Sequence, residues 1–370
     1  MDSQTAFCPN LDCPAKGQPG KGNIVIHSRQ HSRYKCRECG QTFTQTKGTP
    51  FYRLRHDQEL VVRVVTLLAH GCPPQAIVAA FGLDERTVAD WQQRAAAQCQ
   101  QVHEHLVHQP RDLREVQADE LRVKRQGAII WVAFAMQTAT RLWLGGTLSE
   151  RRDRRLITRL MEGVRRCAVR SPLLLVTDGF AAYSTALKRV FREKVERSGR
   201  GRRCLQAWAG LCYAQVIKRY QQRRVVAVER RVREGEVEQV EALRHRAHES
   251  GVLNTAFIER LNATFRQRLT SLVRRTRALA RCTVTIEHGM WLVGTLYNFC
   301  TAHDSLRVRS ATGEQRWQAR TPAMAAGITD HLWSVKELLC YRVPPPRWEP
   351  PKRWGRMSQA MKLKIMEWCT

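Results

Sequence analysis

Three carboxylates, Asp119, Asp178 and Glu259, stand in local patterns that would present an acid to a divalent metal ion. Asp119 lies in Val116-Gln117-Ala118-Asp119-Glu120-Leu121, and Asp178 ends the apolar run Leu173-Leu174-Leu175-Val176-Thr177. Glu259 sits in Asn254-Thr255-Ala256-Phe257-Ile258-Glu259-Arg260-Leu261-Asn262. Cleaving a phosphodiester needs a water or a 3′-hydroxyl activated beside the phosphate, and a stabilised leaving oxygen. Two Mg²⁺ (or Mn²⁺) ions about 3.5–4 Å apart do both, held by hard oxygen ligands. Singly, Asp178 reads as a helix N-cap and Glu259 as one half of a surface ion pair; jointly the three acids point to phosphodiester chemistry on DNA. Alternation along a strand puts Asp119 and Glu120 on opposite faces, so only one of them is expected to face such a site. Asp119 is the expected ligand, with Ala118 and Glu120 turned away. Helical spacing places Asn262, Arg266 and Thr270 on the face of Glu259, aligning an acid, an amide and a cation along one groove. Arg268, Arg274, Arg275 and Arg277 continue that basic surface.

The elements that would position these groups form an α/β pattern. Strands are expected over 116–123, 129–136 and 142–148, with Gly127 and 137–140 as turns. A helix over 153–167, a buried strand over 173–176 and a helix over 182–191 follow. Three antiparallel strands, a helix, a strand and a helix is the opening order of an RNase H-like sheet, on which acids from the first and fourth strands lie side by side. From 193 to 233 the chain is extremely basic, with a flexible loop at 199–203 and a hairpin from strands at 214–217 and 224–232. Trp208, Tyr213 and Tyr220, interleaved with cations such as Lys218 and Arg219, suit backbone contact and base stacking. A strand edge protected by charge is the equal alternative. A helix at 236–249 precedes one long helical pattern over 255–280, then a core helix over 283–300 bearing Trp291. The tail after Ser310 reads as extended, with a short helix near 334–339.

The first 50 residues hold Cys8, Cys13, Cys36 and Cys39, two close pairs that can supply four thiolates to tetrahedral Zn²⁺. So short a segment buries little apolar surface, so the metal would contribute its folding energy. Gly40 suits the tight turn after the second pair, Tyr34 and Phe43 would pack over the site, and His27 and His31 read as solvated. Next, a helix over 58–68 stops at Gly71, and a second helix starts after Pro73-Pro74. Gly82-Leu83-Asp84 then makes a turn in which Asp84 is the expected N-cap of a third helix. That is a helix-turn-helix order, with Arg86, Thr87, Gln92, Gln93 and Arg94 as groove-facing candidates. Ala76, Phe81, Val88 and Trp91 would form its small core; an ordinary helical linker bundle is the plain alternative. The expected division is a zinc ribbon over 1–50, a helix-turn-helix domain over 51–110, and a catalytic core over 111–310 interrupted by an insertion at about 193–250. A tail over 311–370 completes the multidomain chain.

Composition sets the partner class. With 62 Lys+Arg against 33 Asp+Glu, the formal net charge is +29, which fits a polyanion whose binding weakens steeply with salt. A merely basic surface explains the charge but not the acids. No run reaches the roughly 18 uncharged apolar residues that a membrane helix requires, and the start lacks a signal-peptide pattern. Of the 13 cysteines, the nine outside the N-terminal cluster scatter singly as small hydrophobes. The expectation is a reduced, cytoplasmic, nucleoid-associated protein without a membrane partner.

These motifs resemble the DDE-type transposases of bacterial insertion sequences, most closely the insertion-sequence-one group and its relatives. The resemblance is carried by Cys8, Cys13, Cys36 and Cys39, by Asp119-Glu120, and by Thr177-Asp178-Gly179 with Tyr183. It continues in Asn254 through Asn262 and on through Ala263-Thr264-Phe265-Arg266-Gln267-Arg268-Leu269 and Leu272-Val273-Arg274-Arg275-Thr276. It extends from the cysteine cluster to about residue 310. It implies binding of terminal inverted repeats in double-stranded DNA, Mg²⁺-dependent end cleavage, strand transfer into target DNA, and assembly as a homodimer or larger. Arg266 matches the cation two helical turns beyond the third acid of many such enzymes. The Arg-rich insertion and the proline-rich tail depart from the pattern. A transposase-derived DNA-binding regulator and a simple Mg²⁺ nuclease are the competing expectations.

Overall fold

The computed structural model describes residues 2–194, 204–222, 224–248, 251–310, 316–346 and 355–369; the loop read at 199–203 lies outside them. The chain divides into two compact units, one made of Met1–Leu60 with Leu339–Thr370 and the other of Val61–Leu338.

In the first unit, β1 (Ile24–Ser28), β2 (Arg33–Cys36) and β3 (Thr42–Thr44) form a small antiparallel sheet. Its core is the cysteine cluster with Ala6, Ala15, Ile24, Tyr34 and Phe43, and the last two rings lie 5.6 Å apart. Gly40 takes a left-handed turn (φ 69°), the conformation for which glycine carries no steric penalty. The C-terminal segment contributes Arg342, whose guanidinium lies 5.1 Å from the Phe7 ring centre.

The second unit begins within α1 (Gln58–Ala69) and continues with α2 (Pro74–Phe81) and α3 (Glu85–Leu106). Asp84 caps α3, accepting a 2.7 Å hydrogen bond from the Arg86 N–H, as the sequence predicts. The small core beside it differs by one position. Ile77 is buried with Val88 and Trp91, while Ala76 is exposed and Phe81 half-buried, because α2 turns the larger Ile77 side chain inward. α3 is 22 residues long, and its C-terminal half packs along the core helix over Thr283–Phe299. There Thr295 donates to the Cys99 carbonyl at 3.2 Å, and His103 sits against Trp143 and Trp291. The boundary read at residue 110 therefore does not coincide with a break in packing.

The centre is a mixed six-stranded sheet. Its strands are β4 (Glu115–Arg125), β5 (Ala128–Gln137), β6 (Trp143–Ser149), β7 (Leu173–Thr177), β10 (Leu211–Gln221) and β11 (Arg224–Glu234). Two short strands, β8 (Arg192–Lys194) and β9 (Leu205–Ala207), pair separately. The order is β11-β10-β7-β4-β5-β6, with β7 parallel to both β4 and β10 and the remaining pairs antiparallel. β7 is buried along its whole length, as its unbroken apolar run requires of an interior parallel strand. α4 (Arg154–Cys167) buries Leu156, Ile157, Leu160, Met161 and Val164, and α5 (Ala182–Val190) packs beside it. After α6 (Val237–Ala247), α7 (Ala256–Arg268) and α8 (Thr283–Phe299) cover β4 and β5 with Ile258, Leu261, Phe265, Ile286 and Met290.

Two expectations fail here. The long helix read over 255–280 ends at Arg268, where Leu269 turns to extended backbone (φ −122°, ψ 102°) before a 3₁₀ turn at Thr270–Leu272. Leu269 packs against Gly289, where an added Cβ would lie 2.6 Å from a leucine methyl, and Leu272 is buried in the core. The apolar spacing thus reports burial that a turn satisfies as well as a helix, and Thr270 leaves the Glu259 face. The tail is also not simply extended. Thr321 caps the short helix Pro322–Ala325, Trp333 packs on Phe299 with ring centres 5.0 Å apart, and Leu338 is buried. The short helix expected near 334–339 is present as Val335–Cys340. Among the described residues, no helix is long and apolar enough to cross a membrane.

Candidate metal centres and acidic cleft

In the first unit, Cys8, Cys13, Cys36 and Cys39 bring one sulfur each within 4.8 Å of all the others. Cys8 and Cys39 Sγ lie 3.6 Å apart, Cys13 and Cys36 Sγ 3.9 Å, and Asn23 Nδ2 donates to Cys36 at 3.7 Å. Burial pushes the Cys8 thiol up strongly and the Cys13 thiol to about 11. At Cys39 the burial penalty is outweighed by hydrogen bonds from the Gln41 backbone and the Asn10 and Cys8 side chains, and its thiol falls to about 7. Four convergent soft donors can hold a metal ion. His27 and His31 are exposed and outside the cluster.

The second unit carries a cleft of about 480 Å³ where β4, β7, β10 and α7 converge. Asp119, Glu120 and Asp178 gather there, with one oxygen of each within 4.8 Å of the others. Asp119 Oδ2 accepts from Asn262 Nδ2 at 2.7 Å, and its Oδ1 from the Glu120 N–H at 2.8 Å. Burial, reinforced by the charge of Glu120, pushes the Asp119 carboxyl up to about 7. Asp178 follows the last residue of β7; its Oδ1 accepts from the Phe180 N–H at 2.9 Å.

Glu120 is not turned away from this cleft. β7 pairs with β4 only from Glu115 to Gln117, so at Asp119 and Glu120 the β7 side of β4 is an open edge. Around such an edge, side chains from both faces can converge, and simple alternation no longer separates them. Glu120 Oε2 accepts from Arg152 Nε (2.9 Å) and Nη2 (2.7 Å), and the same Nη2 donates to Asp178 Oδ2 at 3.0 Å. Burial raises the Glu120 carboxyl. Its Oε1 is buried, and the buried Tyr183 hydroxyl lies beside the carboxylate as its donor, opposing the effect of burial. Sequence reasoning missed Arg152 because Arg151-Arg152-Asp153-Arg154-Arg155 offers nothing to single it out.

Glu259 faces the same cleft but is not one of the three gathered acids. Thr255 Oγ1 donates to its Oε1 at 2.6 Å, and Lys218 forms an ion pair with it. Its helix is registered on β4 by Gln117, which is buried: Oε1 accepts from the Ile258 N–H (3.1 Å) and Nε2 donates to the Asn254 carbonyl (2.8 Å). The Ile258 N–H is a first-turn donor with no partner inside the helix. Glu115, Gln117 and Asp119 alternate along one face of β4 with the apolar Val116 and Ala118 on the other, a signal that would have revealed Gln117.

The remaining candidates scatter. Arg266, half-buried, and Arg274, exposed, line the cleft with Lys218 and Asn262. Arg268 instead donates to Thr301 Oγ1 at 3.2 Å, Arg275 is exposed outside the cleft lining, and Arg219 pairs with Glu229. Trp208 is not a stacking platform: it is buried with its ring 5.2 Å from Phe191. Tyr213 is buried too, its hydroxyl 3.0 Å from Thr177 Oγ1, whereas Tyr220 is exposed on the cleft rim. On α3, Arg86 and Gln93 are exposed, Thr87 and Gln92 half-buried, and Arg94 pairs with Asp90 at 2.7 Å. No family model matches this chain, and no curated protein matches it.

Proposed function

We propose that this chain is a DDE-type DNA transposase that binds the ends of its element and catalyses metal-dependent cleavage and strand transfer. The observation that carries the reading is the acidic cleft: Asp119, Glu120 and Asp178 within 4.8 Å, Glu259 on the α7 wall, and Lys218, Arg266 and Arg274 beside them. The order β6-β5-β4-β7-β10, with β4 central and parallel to β7, supports an RNase H-like core. The donor set of Asp119, Glu120 and Asp178 fits Mg²⁺ or Mn²⁺, being hard oxygens, with Asn262 Oδ1 buried and unpartnered beside them. Asp119 and Asp178 would hold the metal, joined by Glu259 once Lys218 turns from it to a phosphate. The bound metal would supply activation of a water or 3′-hydroxyl and stabilise the leaving oxygen. Asn262 keeps Asp119 oriented, and Arg266 and Arg274 would hold the phosphates of a DNA end. The four-cysteine cluster would bind Zn²⁺, α2 and α3 would read the inverted repeats as a helix-turn-helix, and the active form would be a homodimer or larger.

The test uses purified protein, Mg²⁺ and duplex DNA carrying the flanks of its own gene, with products mapped at nucleotide resolution. Cleavage at a defined end, followed by joining of its 3′-hydroxyl to a second duplex, supports the transposase. Cleavage without joining points to a simple nuclease. Specific binding with no product, unaltered by Asp178→Asn, points to a DNA-binding regulator.

A further inference from the structure

Arg152 holds a position that the proposed chemistry does not use. It directly precedes Asp153, the N-cap of α4, whose side chain accepts from the Leu156 N–H at 3.0 Å, so the backbone at Arg152 is fixed. Its guanidinium lies 4.1 Å from the centre of the Phe180 ring and 5.3 Å from that of Trp131. From this slot, two of its nitrogens reach Glu120 Oε2 and one also reaches Asp178 Oδ2. The Glu120 side chain is fully inaccessible while Arg152 stays one-third exposed, so the contact is desolvated on the Glu120 side only.

Charge makes the arrangement informative. Three carboxylates whose oxygens fall within 4.8 Å repel one another, and Arg152 is the cation that bridges two of them. A divalent ion bound by the same acids would meet that guanidinium as a like charge and would compete with it for Glu120 and Asp178, whose Oε2 and Oδ2 it now engages. The buried, unpartnered Asn262 Oδ1 beside Asp119 marks the corner as polar space prepared for more than the side chains already there.

We propose that Arg152 is a built-in counter-ion that competes with divalent metal for Glu120 and Asp178, and so sets how tightly the acidic corner holds its metal. This rests on the reading that the corner binds divalent ions. Arg152 keeps the acids gathered while the metal is away and withdraws when it binds. Lysine cannot replace it fully, because an ammonium lacks the planar fork that spans two carboxylates.

The experiment measures Mn²⁺ affinity by electron paramagnetic resonance on the full chain without DNA. One equivalent of Zn²⁺ is loaded first and any excess removed by dialysis, so that the four-cysteine cluster is filled and the acidic corner stays free for Mn²⁺. Arg152→Gln is expected to bind Mn²⁺ at least about tenfold tighter than wild type, equivalent to about 1.4 kcal/mol, with Arg152→Lys closer to wild type. Equal or weaker affinity in Arg152→Gln, with wild-type binding abolished by Asp178→Asn, overturns the competition and leaves the metal reading standing. Wild-type binding that Asp178→Asn does not alter overturns both. Should Arg152→Gln fail to fold, wild type decides: Mg²⁺ titration is expected to move the Arg152 Nε–H resonance, assigned by its absence in Arg152→Lys. A resonance unmoved at saturating Mg²⁺ contradicts the proposal.

Discussion

Burial dominates the chemistry of single residues along β4. Glu115 is 2% exposed, and burial pushes its carboxyl up to about 7, with Gln117 donating to it at 3.0 Å. A carboxyl raised in the folded state adds stability below its unfolded pKa, and that contribution is lost as pH rises from about 4.5 through about 7. Glu115→Gln keeps the acceptor and removes the charge, so its melting temperature should exceed wild type at pH 8.5 and match it near pH 4.5. The difference at high pH should be of order 3 kcal/mol, from about 1.4 kcal/mol per pKa unit. Equal pH profiles for the two proteins would refute this assignment. Asn262 acts one residue pair further along, fixing Asp119 at 2.7 Å. Asn262→Ala is expected to lower cleavage by more than tenfold while DNA affinity changes little, read as separate rate and binding measurements.

At the scale of elements, the buried amide of Gln117 fixes where α7 sits on β4. Gln117→Leu leaves the Ile258 N–H and Asn254 carbonyl without that partner and should cost about 1–3 kcal/mol in denaturant unfolding. An unchanged midpoint would mean that apolar packing alone sets the register. Much of this element layer is legible in the sequence. The apolar run before Asp178 predicts β7 within one residue, and Asp84 and Gly40 announce a cap and a turn that the structure contains. Three failures share a cause, since a local pattern reports burial but not what meets it. The spacing through Leu269 and Leu272 looks helical because both enter the core. Trp208 looks like a surface aromatic because its cover, Phe191, lies 17 positions earlier in the chain. Glu120 looks turned away because the end of β7 beside it, and hence the open edge, belongs to distant sequence.

For the whole molecule, a net charge of +29 dictates that affinity for duplex DNA should fall steeply with salt. The log–log slope should be about −0.9 per neutralised phosphate. Changing Arg266 and Arg274 together to Ala should flatten it by about two units in a titration series; an unchanged slope would remove them from the phosphate path. The four-cysteine cluster forms the core of its small sheet, so Cys36→Ser should lose zinc by elemental analysis and melt the N-terminal strands by hydrogen exchange. Phosphodiester chemistry is proposed at Asp119, within β4, and at Asp178, just past the end of β7. Its most direct measurement compares Mg²⁺-dependent cleavage of end DNA by wild type, Asp119→Asn and Asp178→Asn at matched DNA occupancy. Cleavage by wild type, and at least a hundredfold less by both variants, is the expected result; undiminished cleavage by either variant would contradict it.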